Sequence, residues 1–184
     1  MSSMSPTKVK PLKTAEDYMR LPEGTRAELI EGELLMSPSP RERHQTAVLN
    51  IAVNLRNHVL AKNAGRVFVA PFDVHLPSGS IVQPDVVFVA TANLGIVRDW
   101  IFGAPDVLIE VVSPDGVERD RLVKRRLYAE NAVREYWLVD PEERSVEVLV
   151  LSNAGWAPHG YFTAGEILSS PSFPTLALPL GEIF

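Results

Sequence analysis

Cysteine is absent from the 184 residues. That excludes disulfides and thiolate metal ligands. No run of about 18 apolar residues occurs, which excludes a transmembrane helix. The first stretch, Met1 to Lys13, is polar and rich in Ser, Pro and Lys. It lacks the apolar middle region of a signal peptide. A cytoplasmic protein with no membrane association is the simplest expectation. Cations are in deficit: 18 Lys and Arg stand against 23 Asp and Glu, a formal net charge of −5. That balance argues against coating nucleic acid non-specifically, which needs many phosphate-neutralising cations, and leaves a local basic groove open. What is present is ordinary for a globular protein, with 46% hydrophobic and 22% charged residues. The length suits one domain with a real core.

Read in order, Met1 to Lys13 is expected to be a disordered leader, and residues 14–184 one domain. Thr14 with Asp17 three positions on predicts a capped helix to about Arg20, ended by Leu21-Pro22-Glu23-Gly24. Arg26 to Met36 reads as a hairpin about a Glu31-Gly32 turn. That register puts Glu28, Ile30, Glu33 and Leu35 on one face, lining a cleft or simply wet. After Ser37-Pro38-Ser39-Pro40, the stripe His44, Val48, Ile51, Leu55, Val59 predicts a helix over about Arg41 to Asn63, stopped by Gly65. His44 continues the apolar stripe at its start, as a structural or a pocket residue. Arg66 to Leu76 is expected to be one strand, and Gln83 to Val89 another. A loop from Thr91 to Ala104 carries Trp100 and Phe102, which either serve a site or pack the loop down. The strand Asp106 to Ser113 ends at Ser113-Pro114-Asp115-Gly116. A helix opening near Glu118 and running to about Asn131 follows. Strands are expected at Glu135 to Val139, Ser145 to Leu151 and Trp156 to Phe162. The stretch Gly165 to Phe184 is expected to wrap the sheet with little regular structure. This order fits an α/β or α+β domain with a mixed central sheet flanked by helices and an N-terminal β-hairpin.

Two carboxylates break otherwise apolar strands: Asp85 in Gln83-Pro84-Asp85-Val86-Val87-Phe88-Val89, and Glu110 in Val107-Leu108-Ile109-Glu110-Val111-Val112. Burying an unpaired charge costs several kcal/mol or shifts its pKa, so such acids need partners. On neighbouring strands they could share a hard divalent cation, which takes one or two carboxylates plus water and phosphate oxygens. Alternatively, each acid sits at a strand end and pairs with a surface Arg. From Glu118 to Arg134, six cations stand against three acids. The helix carries Arg121, Lys124 and Tyr128 along one side, so Lys124 could orient water beside the acids, or the face is merely solvated.

An ordered series of segments resembles the Uma family of restriction-endonuclease-like proteins. It comprises Ala27-Glu28-Leu29-Ile30-Glu31-Gly32-Glu33-Leu34, Ser37-Pro38-Ser39-Pro40 with His44, and Gln83-Pro84-Asp85-Val86-Val87-Phe88. It continues through Ile109-Glu110-Val111-Val112-Ser113-Pro114, Asp120-Arg121 with Lys124 and Tyr128, and Glu135-Tyr136-Trp137-Leu138-Val139-Asp140. The resemblance covers nearly the whole chain after the leader. It implies a PD-(D/E)XK nuclease fold with Asp85 and Glu110 as Mg²⁺ ligands (Mn²⁺ being an alternative) and Lys124 as the assisting lysine. Two residues after Glu110 stands Val112, so the lysine would have moved to the following helix. His44 matches the polar residue the superfamily adds from its first core helix, and Glu28 matches a family position without an assigned role. The implied function is Mg²⁺-dependent endonuclease hydrolysis of DNA phosphodiester bonds, with a homodimer as the assembly. The alternative is a catalytically inactive nuclease-like module that binds DNA or protein.

Overall fold

The computed structural model describes residues 12–22, 24–113 and 119–184, with residues 119–121 followed through their backbone alone. Residues 1–11 of the expected leader, the Pro114–Gly116 end of the expected break, the helix opening near Glu118 and the Arg121 side chain lie outside the described residues. At the first helix, α1 (Ala15–Met19), the Asp17 N–H donates to Thr14 Oγ1 at 3.2 Å and the Thr14 N–H donates to Asp17 Oδ2 at 3.0 Å. This reciprocal pair is the capping box that the Thr14 and Asp17 spacing predicts.

Strands β1 (Ala27–Ile30) and β2 (Glu33–Met36) form the expected hairpin, with Ile30 opposite Glu33 and Glu28 opposite Leu35. Glu31 (φ 50°) and Gly32 (φ 83°) both take the left-handed region that a tight two-residue turn requires. Glu28 and Ile30 are buried while Glu33 is exposed. The two strands differ because β1 also pairs with a third strand and β2 is the sheet edge.

Helix α2 (Glu42–Lys62) buries Ile51, Leu55 and Val59, as its stripe predicts. Asn63, not Gly65, ends it by adopting a left-handed conformation (φ 49°, ψ 40°). Gly65 instead opens β3 (Gly65–Val69) at φ 152°, where a Cβ would lie 2.1 Å from the Val89 carbonyl oxygen.

One expected strand is divided and another starts late. Arg66 to Leu76 divides into β3 and β4 (Val74–His75). The strand expected over Gln83 to Val89 begins only at β6 (Val86–Ala90), after a break that follows β5 (Ile81–Val82), a short strand that the sequence reading did not place. Pro71 and Pro84 stand at the two breaks; neither has an N–H with which to continue a ladder. The expected loop over Thr91 to Ala104 contains a 3₁₀ turn at Thr91–Ile96 and the short strand β7 (Ile101–Phe102). Strand β8 (Val107–Val111) holds Glu110. A π-helical turn at Arg119–Lys124 runs into α3 (Arg125–Glu130), followed by β9 (Glu135–Asp140), β10 (Ser145–Ser152) and β11 (Gly155–Thr163). The C-terminal stretch expected to be irregular forms a second hairpin, β12 (Ile167–Ser170) with β13 (Phe173–Pro179). Its Leu168, Phe173 and Leu178 enter the core, which a loosely wrapped segment could not accomplish.

The strands make a six-stranded sheet in the order β11-β10-β9-β8-β6-β3 and a five-stranded one in the order β2-β1-β5-β4-β7. All described neighbours in the larger sheet are antiparallel except β8 and β9, which α3 joins as a parallel crossover. One face of that sheet packs on α2 and the C-terminal hairpin, through Val86, Ile109, Trp137 and Phe173. The other packs on α3 and the smaller sheet, through Val87, Leu108, Tyr128 and Val74. The mixed α/β architecture with flanking helices is therefore as expected. No described helix is long and apolar enough to cross a membrane.

Candidate active site

Two of the chain's passages between the sheets, from β3 to β4 and from β5 to β6, lie side by side, with the Ala70 N–H donating to the Asp85 carbonyl at 3.1 Å. The seam they leave is a cleft of about 140 Å³ lined by Glu28, His44, Asp85, Glu110 and Lys124, together with Arg26 and Arg41. All five site residues predicted from the sequence therefore meet at one cavity.

Each acid arrives by a different route. Strands β6 and β8 are neighbours, with Val86 opposite Ile109, so Asp85 and Glu110 are the next positions along the pair. Asp85 stands just before its strand and not within it, because Pro84 delays the ladder. Its Oδ2 accepts the Val111 N–H at 2.8 Å and lies 3.2 Å from His44 Nε2, at the first turn of α2. Glu110 is buried inside β8. Its Oε1 accepts from Lys124 Nζ at 2.9 Å and from the Tyr128 hydroxyl at 2.5 Å. Lys124 and Tyr128 are four apart, so one helix face delivers both donors to one oxygen. Neither acid is held by a surface Arg in these contacts.

Glu28 comes from the hairpin. Its Oε1 accepts from Lys124 Nζ at 2.9 Å and from the Gln83 N–H at 2.9 Å. Lys124 thus bridges two buried carboxylates of different sheets. Glu28 Oε2 and His44 Nδ1 are buried without a hydrogen-bond partner. The wet hairpin face weighed from the sequence is not found at Glu28. Tyr128 is fully buried, and desolvation first, then the Glu110 and Glu28 charges, push its phenol well above the usual tyrosine range. It therefore stays protonated and donates. Val112, two residues after Glu110, is buried among apolar neighbours, and the cation beside Glu110 comes from Lys124.

Tyr128 and Gln83 are the contributors that sequence reasoning named without a role. The signal for Tyr128 was its place four residues after Lys124. For Gln83 there was none, because its backbone N–H makes the contact.

Among the described residues, no group of three His, Cys, Asp or Glu side chains has the spacing to enclose a metal ion. The donor set is nonetheless hard oxygen, and Glu28 Oε2 is a buried acceptor without a partner. This suits an ion of the Mg²⁺ type, which takes few carboxylates and completes its shell with water and phosphate oxygens. It does not suit a closed site made only of protein ligands.

A mixed sheet flanked by helices, with acids of adjacent strands meeting a lysine at the seam, defines an α/β protein with an ionic cleft between two sheets. The model of the Uma2 family, described as "Putative restriction endonuclease", matches residues 15–181. The chain belongs to that family. Among solved structures, it is similar to one described as a "putative nuclease belonging to DUF820" from Anabaena variabilis ATCC 29413. The TM-score is 0.78 at 21% identity, covering 93% of this chain and 97% of that one. At that identity the likeness concerns the fold. No curated protein matches the chain.

Proposed function

We propose that the protein is a Mg²⁺-dependent endonuclease, also served by Mn²⁺, that hydrolyses DNA phosphodiester bonds in this cleft. The observation that carries the reading is the pairing of β6 with β8, which brings Asp85 and Glu110 to one cavity with Lys124 at 2.9 Å from Glu110. Asp85 and Glu110 would hold the ion. When bound, such an ion supplies an acidified water and neutralises charge on the phosphoryl oxygens.

The chain's own residues do the rest. The Val111 N–H and His44 hold the Asp85 carboxylate in place. Tyr128 and Lys124 fix Glu110 Oε1 by two donors. Lys124 Nζ orients the attacking water, and Glu28 sets the position of that Nζ from the opposite sheet. Arg26 and Arg41, at the cleft wall, take the flanking phosphates.

The test is a cleavage assay over single-stranded, duplex and branched DNA with Mg²⁺ or Mn²⁺. Asp85→Ala and Glu110→Ala are expected to abolish metal-dependent cleavage while circular dichroism and melting show a folded protein. Absence of cleavage by the wild type on every DNA with either metal would remove the reading. A second reading, a nuclease-like binding module without catalysis, draws on the absence of a three-ligand group among the described residues. It expects metal-independent DNA binding that both alanine variants retain. We also infer a homodimer, since one cleft per subunit cuts one strand and two-fold dimers are the commonest assembly. Sedimentation equilibrium at micromolar concentration checks it, a monomer being the contrary result.

A further inference from the structure

The stretch between β6 and β8 ends in an aromatic group that the proposed chemistry does not use. The Trp100 ring lies 5.8 Å from His75 and 6.5 Å from Phe102. His75 and Phe102 are themselves stacked at 4.6 Å, and the Arg98 guanidinium sits 5.6 Å over Phe102. Trp100 is thus braced by its own neighbours.

Trp100 borders a second cavity, of about 440 Å³, together with Tyr18, Phe72, Asp73 and Gln83. Asp73 is buried, and its Oδ1 accepts from the Tyr18 hydroxyl at 3.0 Å and from Gln83 Nε2 at 2.8 Å. Burial first, then the Asp73 charge, raises the Tyr18 phenol, so it remains a donor. The carboxylate is therefore locked in orientation at the cavity wall.

Gln83 lines both cavities. Its backbone N–H binds Glu28 at the cleft, and its side chain binds Asp73 at the second cavity. The two spaces are one residue apart. A nucleotide has the same layout, with a phosphodiester and, one sugar away, a flat ring with N–H groups at its edge.

We infer that the Trp100 cavity is a nucleobase subsite that takes one unstacked base of the strand whose backbone enters the cleft. This placement rests on the nuclease reading of the cleft. Aromatic walls accept the faces of a base, and stacking of this kind tolerates any sequence. The Asp73 carboxylate accepts N–H donors of a base edge and repels a phosphate, so the occupant is the base and not the backbone. A paired base cannot reach such a pocket, so single strands or extruded bases are favoured over intact duplex.

The test measures binding of a short mixed-sequence single-stranded oligodeoxynucleotide to the full chain in EDTA, by fluorescence anisotropy. A strand of equal length made only of abasic nucleotides is the comparison. The wild type is expected to bind the base-bearing strand about tenfold more tightly. Trp100→Ala is expected to remove that preference and leave the affinity for the abasic strand unchanged. Asp73→Asn, which keeps the shape of the side chain, is expected to alter the ranking among homopolymer strands. Equal binding of the two strands by the wild type, or no binding of either, overturns the inference without requiring any variant. Cleavage assayed separately distinguishes the two readings. A base preference without cleavage sinks the nuclease reading alone, and cleavage without a base preference sinks the subsite alone.

Discussion

Replacing Lys124 with Met would leave Glu28 and Glu110 in the seam without the ammonium that lies 2.9 Å from each. Removing one partner of a buried ionic group costs about 3–5 kcal/mol, because the charge left behind is still desolvated. Lys124→Met is therefore expected to lower the urea-unfolding free energy by that amount; a loss under about 1 kcal/mol would mean that water already reaches the pair. Tyr128→Phe deletes only the hydroxyl that donates to Glu110. It is expected to cost about 1–3 kcal/mol, a buried acceptor losing a donor, and to slow cleavage through misplacement of Glu110. A second titration lies outside the cleft. Burial holds His75 below its ordinary value of 6.5, with Asp73 opposing. The folded form prefers the neutral ring, so its contribution is complete above 6.5 and is lost as the pH falls below that value. The urea midpoint should fall between about pH 7.5 and about pH 5.5, and His75→Phe should reduce that fall. The acids were legible in the sequence because apolar neighbours on both sides forced the question of their partners. The place of Tyr128 beside Lys124 on one helix face was legible too, but its bond to Glu110 was not, since that contact depends on how the helix packs on β8.

Prolines and one glycine decide where elements stop. Pro71 cuts one expected strand and Pro84 delays another, and the seam between the sheets lies where these ladders are interrupted. Gly65 is needed where β3 meets β6, since a Cβ there would strike the Val89 carbonyl. Gly65→Ala should cost about 1–3 kcal/mol from overpacking, read as a lower melting temperature with an otherwise native spectrum. The C-terminal hairpin was read as irregular because its Pro and Ser content resembles that of a coil. Its order comes from elsewhere: Phe173 packs at 4.7 Å from Phe88 and 6.1 Å from Trp137. Glu135 of β9, fully buried, accepts from the Ser170 hydroxyl and from the Ser172 N–H at 2.9 Å. Phe173→Ala is expected to cost about 3–5 kcal/mol, measured by urea unfolding, which a loosely draped segment would not show.

At the scale of the molecule, a net charge of −5 means that the DNA contact proposed above would have to be local. The cleft wall carries Arg26 and Arg41, which that proposal assigns to phosphates. DNA affinity should fall with salt, and Arg26→Ala should make the log–log slope shallower by about one. An unchanged slope would place the phosphates elsewhere. What the sequence by itself determined is everything that depends on a few neighbouring residues. The capping box at Thr14, the Glu31-Gly32 turn, the α2 stripe and the strands of alternating or wholly apolar residues are of this kind. The family resemblance, an ordered set of such segments, was legible for the same reason. Only the tertiary structure decided that Asp85 and Glu110 stand on paired strands, that Glu28 reaches them from a different sheet, and that Lys124 bridges Glu28 to Glu110. Those contacts join residues up to about a hundred positions apart, and their energies come from shared desolvation. Local propensity carries no information about which distant group will be buried beside a charge.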